Sequence, residues 1–140
     1  MSTLHHVRVD LGVRSYDVVV GRGAIRELAS VIPADAKRVA LVTQASLPID
    51  IRAQLPAGAT VSRHLIGDGE QHKSLATIER LCEEFAAAGI TRNDVVVGVG
   101  GGMVTDVAGF AAASWHRGMR VVHVSTTLVG MIDAAIGGKT

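Results

Sequence analysis

Asp94-Val95-Val96-Val97-Gly98-Val99-Gly100-Gly101-Gly102-Met103-Val104-Thr105-Asp106 decides how this chain folds. Val95, Val96, Val97 and Val99 make a buried strand, three adjacent glycines make a turn, and a helix follows. Unsubstituted α-carbons let backbone N–H groups approach an anion, and the next helix aims its positive amino end at the same point. This is the outline of a phosphate cradle that would suit a cofactor carrying a pyrophosphate. The dinucleotide fingerprint G-x-G-x-x-G fails here, because Met103 stands where the third glycine should be. A variant of the ordinary turn is implied.

Outward from this stretch, β-branched runs predict strands at Val7 to Leu11, Tyr16 to Val20, Arg38 to Thr43, Thr60 to Ile66, Val95 to Val99 and Arg120 to Val124. Helical spacing predicts helices at Ala24 to Val31, Asp50 to Leu55, Ser74 to Ala88, Met103 to Trp115 and Leu128 to Ile136. Strand and helix alternate from Arg38 onward, which argues for βαβ units: a doubly wound, mostly parallel α/β sheet covered on both faces. The first two strands would be an antiparallel addition at one side. Ser74 can cap its helix, Gly89 can close it, and Ile78, Leu81, Cys82 and Phe85 form the stripe that faces the sheet.

Composition bounds the function. The chain has 140 residues, 48% of them hydrophobic, enough for one domain with a single core. Charged residues are 19%, the formal net charge is +1, and no basic run interleaves with aromatics, so nucleic acid is not an expected partner. The most apolar region, Val95 to Ser114, is interrupted by five glycines and Asp106, so no membrane span is expected. Met1 to His6 lacks the basic and apolar regions of a secretion signal, and the expectation is a cytoplasmic setting. Cys82, the single cysteine, cannot form an internal disulfide and reads as core packing.

In open α/β sheets, ligands bind beyond the carboxyl ends of the strands. Gln44, the segment from Ile66 to Lys73, Gly100 to Gly102 and Ser125 to Thr127 should therefore converge. Within them, Asp68-Gly69-Glu70-Gln71-His72-Lys73 offers carboxylates and an ammonium; it suits ribose hydroxyls, and equally a solvated turn. Asp106, placed in the first turn of the helix after the glycines, either complements the helix dipole or binds cofactor. Thr126 and Thr127 either hydrogen-bond a ligand or cap the next helix.

Arg117, beside Gly118, either satisfies helix-end carbonyls or offers a bidentate fork to phosphate or carboxylate. Asp133 sits in the apolar run Met131-Ile132-Asp133-Ala134-Ala135-Ile136, where an unpaired buried carboxylate would be costly; it reads as facing a polar site. Lys139 follows Gly137-Gly138 and could reach an anion from a turn. The six histidines show no metal-ligand spacing, so this chain has no self-contained metal site by sequence.

Taken together, Gly12-Val13-Arg14-Ser15-Tyr16, Gly69-Glu70-Gln71-His72-Lys73-Ser74, Gly100-Gly101-Gly102 with Asp106, Ala108-Gly109-Phe110-Ala111-Ala112, Arg117-Gly118, Thr126-Thr127-Leu128 and Asp133 with Gly137-Gly138-Lys139-Thr140 resemble the 3-dehydroquinate synthases, members of the sugar-phosphate cyclase family. The resemblance implies a Rossmann-like nucleotide-binding domain whose partner, a helical second domain, is absent from this chain. It implies an enzyme that converts 3-deoxy-arabino-heptulosonate 7-phosphate into 3-dehydroquinate and phosphate in the shikimate pathway of aromatic amino acid biosynthesis. NAD and a divalent metal, zinc or cobalt, are the implied cofactors, the metal ligands belonging to the second domain.

Carried over position by position, Asp68, Gly69, Glu70, Gln71, His72, Lys73, Gly101, Gly102, Met103, Val104, Thr105, Asp106, Thr126, Thr127, Leu128 and Lys139 would hold NAD. Asp133, Lys139 and Arg117 would touch the sugar-phosphate substrate. The resemblance also implies a homodimer in which Arg117 serves a neighbouring subunit's site. Gln44, His72, Ser125 and Thr105 depart from the family's frequent residues. The expectation is an amino-terminal half that binds NAD weakly by itself and does not turn over substrate. The alternatives are a cyclase forming 2-epi-5-epi-valiolone or 2-deoxy-scyllo-inosose, and a non-catalytic NAD-binding fragment.

Overall fold

A computed structural model describes residues 3–136 and residue 140. Strands β1 (His5–Val9) and β2 (Tyr16–Val20) pair antiparallel as a two-stranded ribbon. Strands β3 (Arg38–Gln44), β4 (Thr60–Ile66), β5 (Val95–Gly100) and β6 (Arg120–Ser125) form a parallel sheet in the order β4-β3-β5-β6. The helices are α1 (Leu28–Val31), α2 (Leu75–Ala87) and α3 (Gly102–Ser114). The predicted alternation is present, and the fold is α/β with a Rossmann-like sheet. The ribbon departs from expectation: β1 and β2 bond to each other and form a sheet of their own rather than extending the parallel one.

Strand periodicity explains the core. Val95, Val97 and Val99 point to one face of β5, where they join Leu28, Ile32, Val39, Leu41 and Ile51. Val96 points to the other, with Ala40, Val42, Leu81, Phe85, Val104 and Ala108 beneath α2 and α3. Gly98 and Gly100 share this second face. A Cβ on Gly98 would stand 2.7 Å from the Ala108 Cβ, and one on Gly100 would stand 2.5 Å from Val104 Cγ2. These two glycines let α3 lie directly on β5, while the turn itself is left to Gly101 and Gly102.

α2 begins as expected, with Ser74 Oγ accepting from Thr77 N at 3.2 Å, and Gly89 follows it in the left-handed region at φ 69°. Cys82 is half-buried, and burial pushes its thiol pKa up, as suits a packing residue. Two predicted helices shrink. Asp50 to Leu55 contains only a single 3-10 turn at Arg52–Gln54, because the segment between Pro48 and Pro56 is too short to nucleate more. Ala24 to Val31 divides into a 3-10 turn, Ala24–Glu27, and α1. Near the end of the chain Gly130–Ala134 is a wide π-type turn, closed by Ala135 N donating to Gly130 O at 2.9 Å.

Asp94 locks the amino ends of the strands together. It is 2% exposed; Oδ1 accepts from Arg38 N at 2.9 Å, while Oδ2 accepts from Thr91 N at 2.8 Å and Thr91 Oγ1 at 3.0 Å. Among the described residues no helix is long and apolar enough to cross a membrane.

Candidate functional site

The carboxyl ends of β3 to β6 converge as predicted. Thr126 N donates to Gly100 O at 2.9 Å, which joins the end of β6 to the glycine turn. Gln44 Nε2 donates to Gly67 O at 3.2 Å, and Ser46 Oγ donates to Asp68 Oδ1 at 2.6 Å, so the end of β3 holds the loop after β4. Ser46 is a contributor that periodicity did not single out; its signal was position alone, two residues past a strand end.

Gly101 is the N-cap of α3, with extended backbone and no side-chain cap. The helix is 13 residues long, so its amino end carries a full macrodipole, and its first-turn amides have no side-chain acceptor. Both features fit an anionic group such as a pyrophosphate. A Cβ on Gly102 would meet Ala134 Cβ at 3.7 Å and Gly130 Cα at 3.9 Å, so the last helical turn lies beside the glycine turn.

Lys73 crosses from the loop after β4 to α3, where its Nζ donates to Asp106 Oδ2 at 2.7 Å. The hydrogen bond to Asp106 is the main reason the Lys73 ammonium pKa is raised, and the charges of Glu70 and Asp133 add to it. Glu70, Lys73, Asp106 and Asp133 therefore gather over one end of the sheet. Asp106 lies beyond the first turn of α3, contrary to expectation, because the helix starts at Gly102. The dipole reading of Asp106 loses its basis and the ion pair with Lys73 replaces it. Asp133 is exposed at this polar end rather than buried among the apolar residues around it.

Other predicted residues have different surroundings. Val104 and Thr105 are each 1% exposed; Val104 fills the space over Gly100, and Thr105 Oγ1 donates to Gly102 O at 3.1 Å. Thr105 N is used within the helix, donating to Gly101 O at 3.1 Å, so of these two residues only the Val104 backbone amide is left for a ligand. Met103 packs partly against the core, and Leu128 is 71% exposed. Thr127 caps the following turn, its Oγ1 accepting from Gly130 N at 3.2 Å, whereas Thr126 is exposed beside it. In the loop after β4, Gln71 Nε2 donates to Asp68 O at 3.2 Å, Gly69 has φ 98°, and the His72 ring covers Gly67. Lys139 lies outside the described residues.

Arg117 is at the other end of the sheet, where β6 begins. Thirteen residues of helix, about 20 Å at the usual rise, separate the glycine turn from it. It is exposed, with φ 66°, and shares an open groove of about 470 Å³ with Arg92 and Arg120. Helix-end carbonyls are satisfied instead by Gly118 N, which donates to Trp115 O, and Met119 N, which donates to Ala112 O.

His123 was not distinguished from the other histidines by sequence. On β6 it faces α3 between Gly98 and Gly109, with Nδ1 buried and lacking a hydrogen-bond partner among the described residues. Burial pushes its pKa down, and the negative charge of Asp106 opposes that shift. Strand alternation puts His123 opposite Gly98, a register that only pairing reveals. Among the described residues no group of three His, Cys, Asp or Glu side chains could hold a metal ion.

Comparison with known proteins places this geometry. The model of the family described as 3-dehydroquinate synthase N-terminal matches residues 63–140. A 3-dehydroquinate synthase of Saccharopolyspora erythraea is 52% identical over 89% of this chain and 34% of its own length. Another from Nitrobacter winogradskyi is 47% identical over 96% of this chain and 37% of its own. The solved 2-epi-5-epi-valiolone synthase ValA of Streptomyces hygroscopicus, with NAD+ and Zn2+ bound, superposes with a TM-score of 0.72 at 36% identity, covering 94% of this chain and 38% of that one. The chain thus spans a little over a third of the length of these relatives. With the family model covering more than half of its residues, the chain belongs to the 3-dehydroquinate synthase N-terminal family.

Proposed function

We infer that this chain is the NAD-binding part of a 3-dehydroquinate synthase, which converts 3-deoxy-arabino-heptulosonate 7-phosphate into 3-dehydroquinate and phosphate. The observation that carries the reading is the uncapped amino end of α3 with the ion pair between Lys73 and Asp106 beside it. The amides of Gly101 to Val104 would receive the pyrophosphate, and Thr126 and Thr127 would flank it. Asp68, Gly69, Glu70, Gln71, His72, Lys73 and Asp106 would hold ribose hydroxyls, for which carboxylates are the natural acceptors. Leu128 would cover the cofactor's apolar side.

When bound, NAD would supply reversible acceptance of a hydride from the carbon bearing a substrate hydroxyl, whose O–H proton is released, leaving a ketone that makes a neighbouring C–H acidic enough for phosphate elimination. The chain's own residues orient and neutralise. Lys73 carries a firmly protonated ammonium next to Asp106, a fixed positive charge for an anion at the turn. Asp133, at the same end of the sheet, and Lys139 would contact the sugar phosphate. Arg117, at the far end of the strands, would act on the site of a second copy. The divalent metal, zinc or cobalt, would be held by a helical second domain; the described residues offer it no ligand set.

Calorimetric titration with NAD tests this reading. Saturable binding that weakens about tenfold in Asp106→Asn is the expected result, a loss typical of one charged hydrogen bond. Unchanged affinity in that variant contradicts it. The cyclitol-forming alternative draws support from the likeness to ValA. Assays of a protein that joins this chain to the rest of the family's length, with sedoheptulose 7-phosphate, glucose 6-phosphate and the heptulosonate phosphate in parallel, separate the substrates.

A further inference from the structure

β4 ends the strand order, and its face toward α2 carries a group of side chains that the cofactor site does not use. Ser62 and His64, two residues apart on this strand, point the same way. His64 is 4% exposed and stands edge-on to Phe85, with 5.0 Å between ring centroids. Its Nδ1 lies 2.9 Å from Glu84 Oε2 on α2, and its Nε2 lies 2.8 Å from Ser62 Oγ. Arg80, one turn earlier on α2, pairs with Glu84 Oε1 and donates through Nη2 to Leu65 O at 2.9 Å. Burial alone would raise the Glu84 carboxyl pKa, but the hydrogen bonds with His64 and Arg80 outweigh burial and hold it below its ordinary value.

A carboxylate only accepts hydrogen bonds, so the neutral His64 ring carries its proton on Nδ1 and turns the Nε2 lone pair toward the Ser62 hydroxyl. We propose that Ser62 is a nucleophile that takes the acyl group of a small carboxylic ester, with His64 as its general base and Glu84 orienting the ring. Ser62 Oγ bonds the carbonyl carbon as its proton passes to His64 Nε2; the ester C–O bond then breaks, and the departing alcohol takes that proton. Water, deprotonated by Nε2, hydrolyses the acyl-serine to the free acid and restores the hydroxyl. Ser62 is half-buried, which limits the acyl group to a small one. The strand edge supplies the oxyanion donor. Thr60 N donates to Lys37 O at 3.0 Å, on the β3 side, and bonding sides alternate along a parallel strand. Val61, Arg63 and Leu65 therefore turn their backbone groups to the open edge, where Arg80 meets Leu65 O. The Arg63 N–H, next in the chain after the nucleophile, lies outside the ladder and faces the developing negative charge.

Labelling of the intact chain with an alkyl fluorophosphonate, followed by mass mapping of the modified peptides, tests the proposal. Phosphorus takes the place of the carbonyl carbon, fluoride leaves, and the serine adduct is stable. Ser62 should react at least about 100-fold faster than Ser30 and Ser114, whose hydroxyls donate to Glu27 O and Phe110 O and have no base as acceptor. This comparison is made within wild-type molecules and is independent of variant folding. His64→Gln, with its fold checked by circular dichroism, should slow the labelling of Ser62 at least about 100-fold. Glu84→Gln should slow it as well, because the amide can donate to Nδ1 and move the ring proton to Nε2. With p-nitrophenyl acetate as the ester, release of p-nitrophenolate should fall to the level of free imidazole in Ser62→Ala. An unlabelled Ser62, a rate equal to that of Ser30, labelling unchanged in His64→Gln, or ester cleavage unchanged in Ser62→Ala overturns the proposal.

Discussion

Lys73 and Asp106 are 33 residues apart in sequence, yet their side chains close to 2.7 Å over the carboxyl end of the sheet. The pair is half-exposed, so solvent screens it, and its worth to folding is below about 1 kcal/mol. Its position beside the uncapped α3 amino end points to ligand binding as its use. Asp106→Asn should therefore leave the melting temperature within about 4 °C of wild type. Lys73→Ala should behave likewise in thermal denaturation while weakening NAD in calorimetry. A variant that loses stability but keeps its affinity would make the pair structural.

Gly98 is a packing glycine. Adding one methyl group there presses on Ala108 at 2.7 Å. Gly98→Ala should destabilise the fold by about 1–3 kcal/mol, the usual cost of overpacking. The double variant with Ala108→Gly should recover part of the loss, a coupling that denaturant unfolding measures.

Asp94 is the acid-sensitive joint. Burial alone would raise its carboxyl pKa, but hydrogen bonds from Thr91 and Arg38 outweigh burial and hold it below the ordinary 3.8. A depressed carboxylate contributes stability that is present above the unfolded value and lost as pH falls through the folded one. Asp94→Asn should cost about 1–3 kcal/mol at neutral pH, by removing the charged acceptor of buried amides. It should also flatten the stability profile below pH 3.8, measured by urea unfolding across pH.

His123 acts in a higher pH window. Its folded pKa lies below the ordinary imidazole value of 6.5, because burial disfavours the charged ring. In that window the unfolded chain binds more protons, so stability falls as pH drops from 6.5 toward the folded value. His123→Gln should remove this slope while Asp94 keeps its own at lower pH. An unchanged slope between neutral and mildly acidic pH would show that the ring is not the titrating group.

The strands were legible because Val-rich runs bounded by glycine and polar residues have few alternatives; all six appear, with ends shifted by at most two residues. The glycine turn and α3 were legible for the same reason. Side-chain direction was not. The resemblance assigns Val104 and Thr105 to the cofactor, and α3 turns both side chains inward, a consequence of how closely Gly98 and Gly100 let it approach β5. Asp106 gained its partner through a loop distant in sequence, and Arg117 fell to the opposite end of the sheet because a 13-residue helix intervenes. Such relationships depend on tertiary register, which local pattern does not encode.

In the proposed function, the amides at the start of α3 receive the cofactor's pyrophosphate. Backbone amide shifts of the labelled chain, followed by NMR during titration with NAD, test it most directly. Saturable shifts are expected at Gly101, Gly102 and Met103, with smaller changes along the loop from Asp68 to Lys73. Shifts confined to other regions, such as the groove beside Arg92 and Arg117, would contradict it.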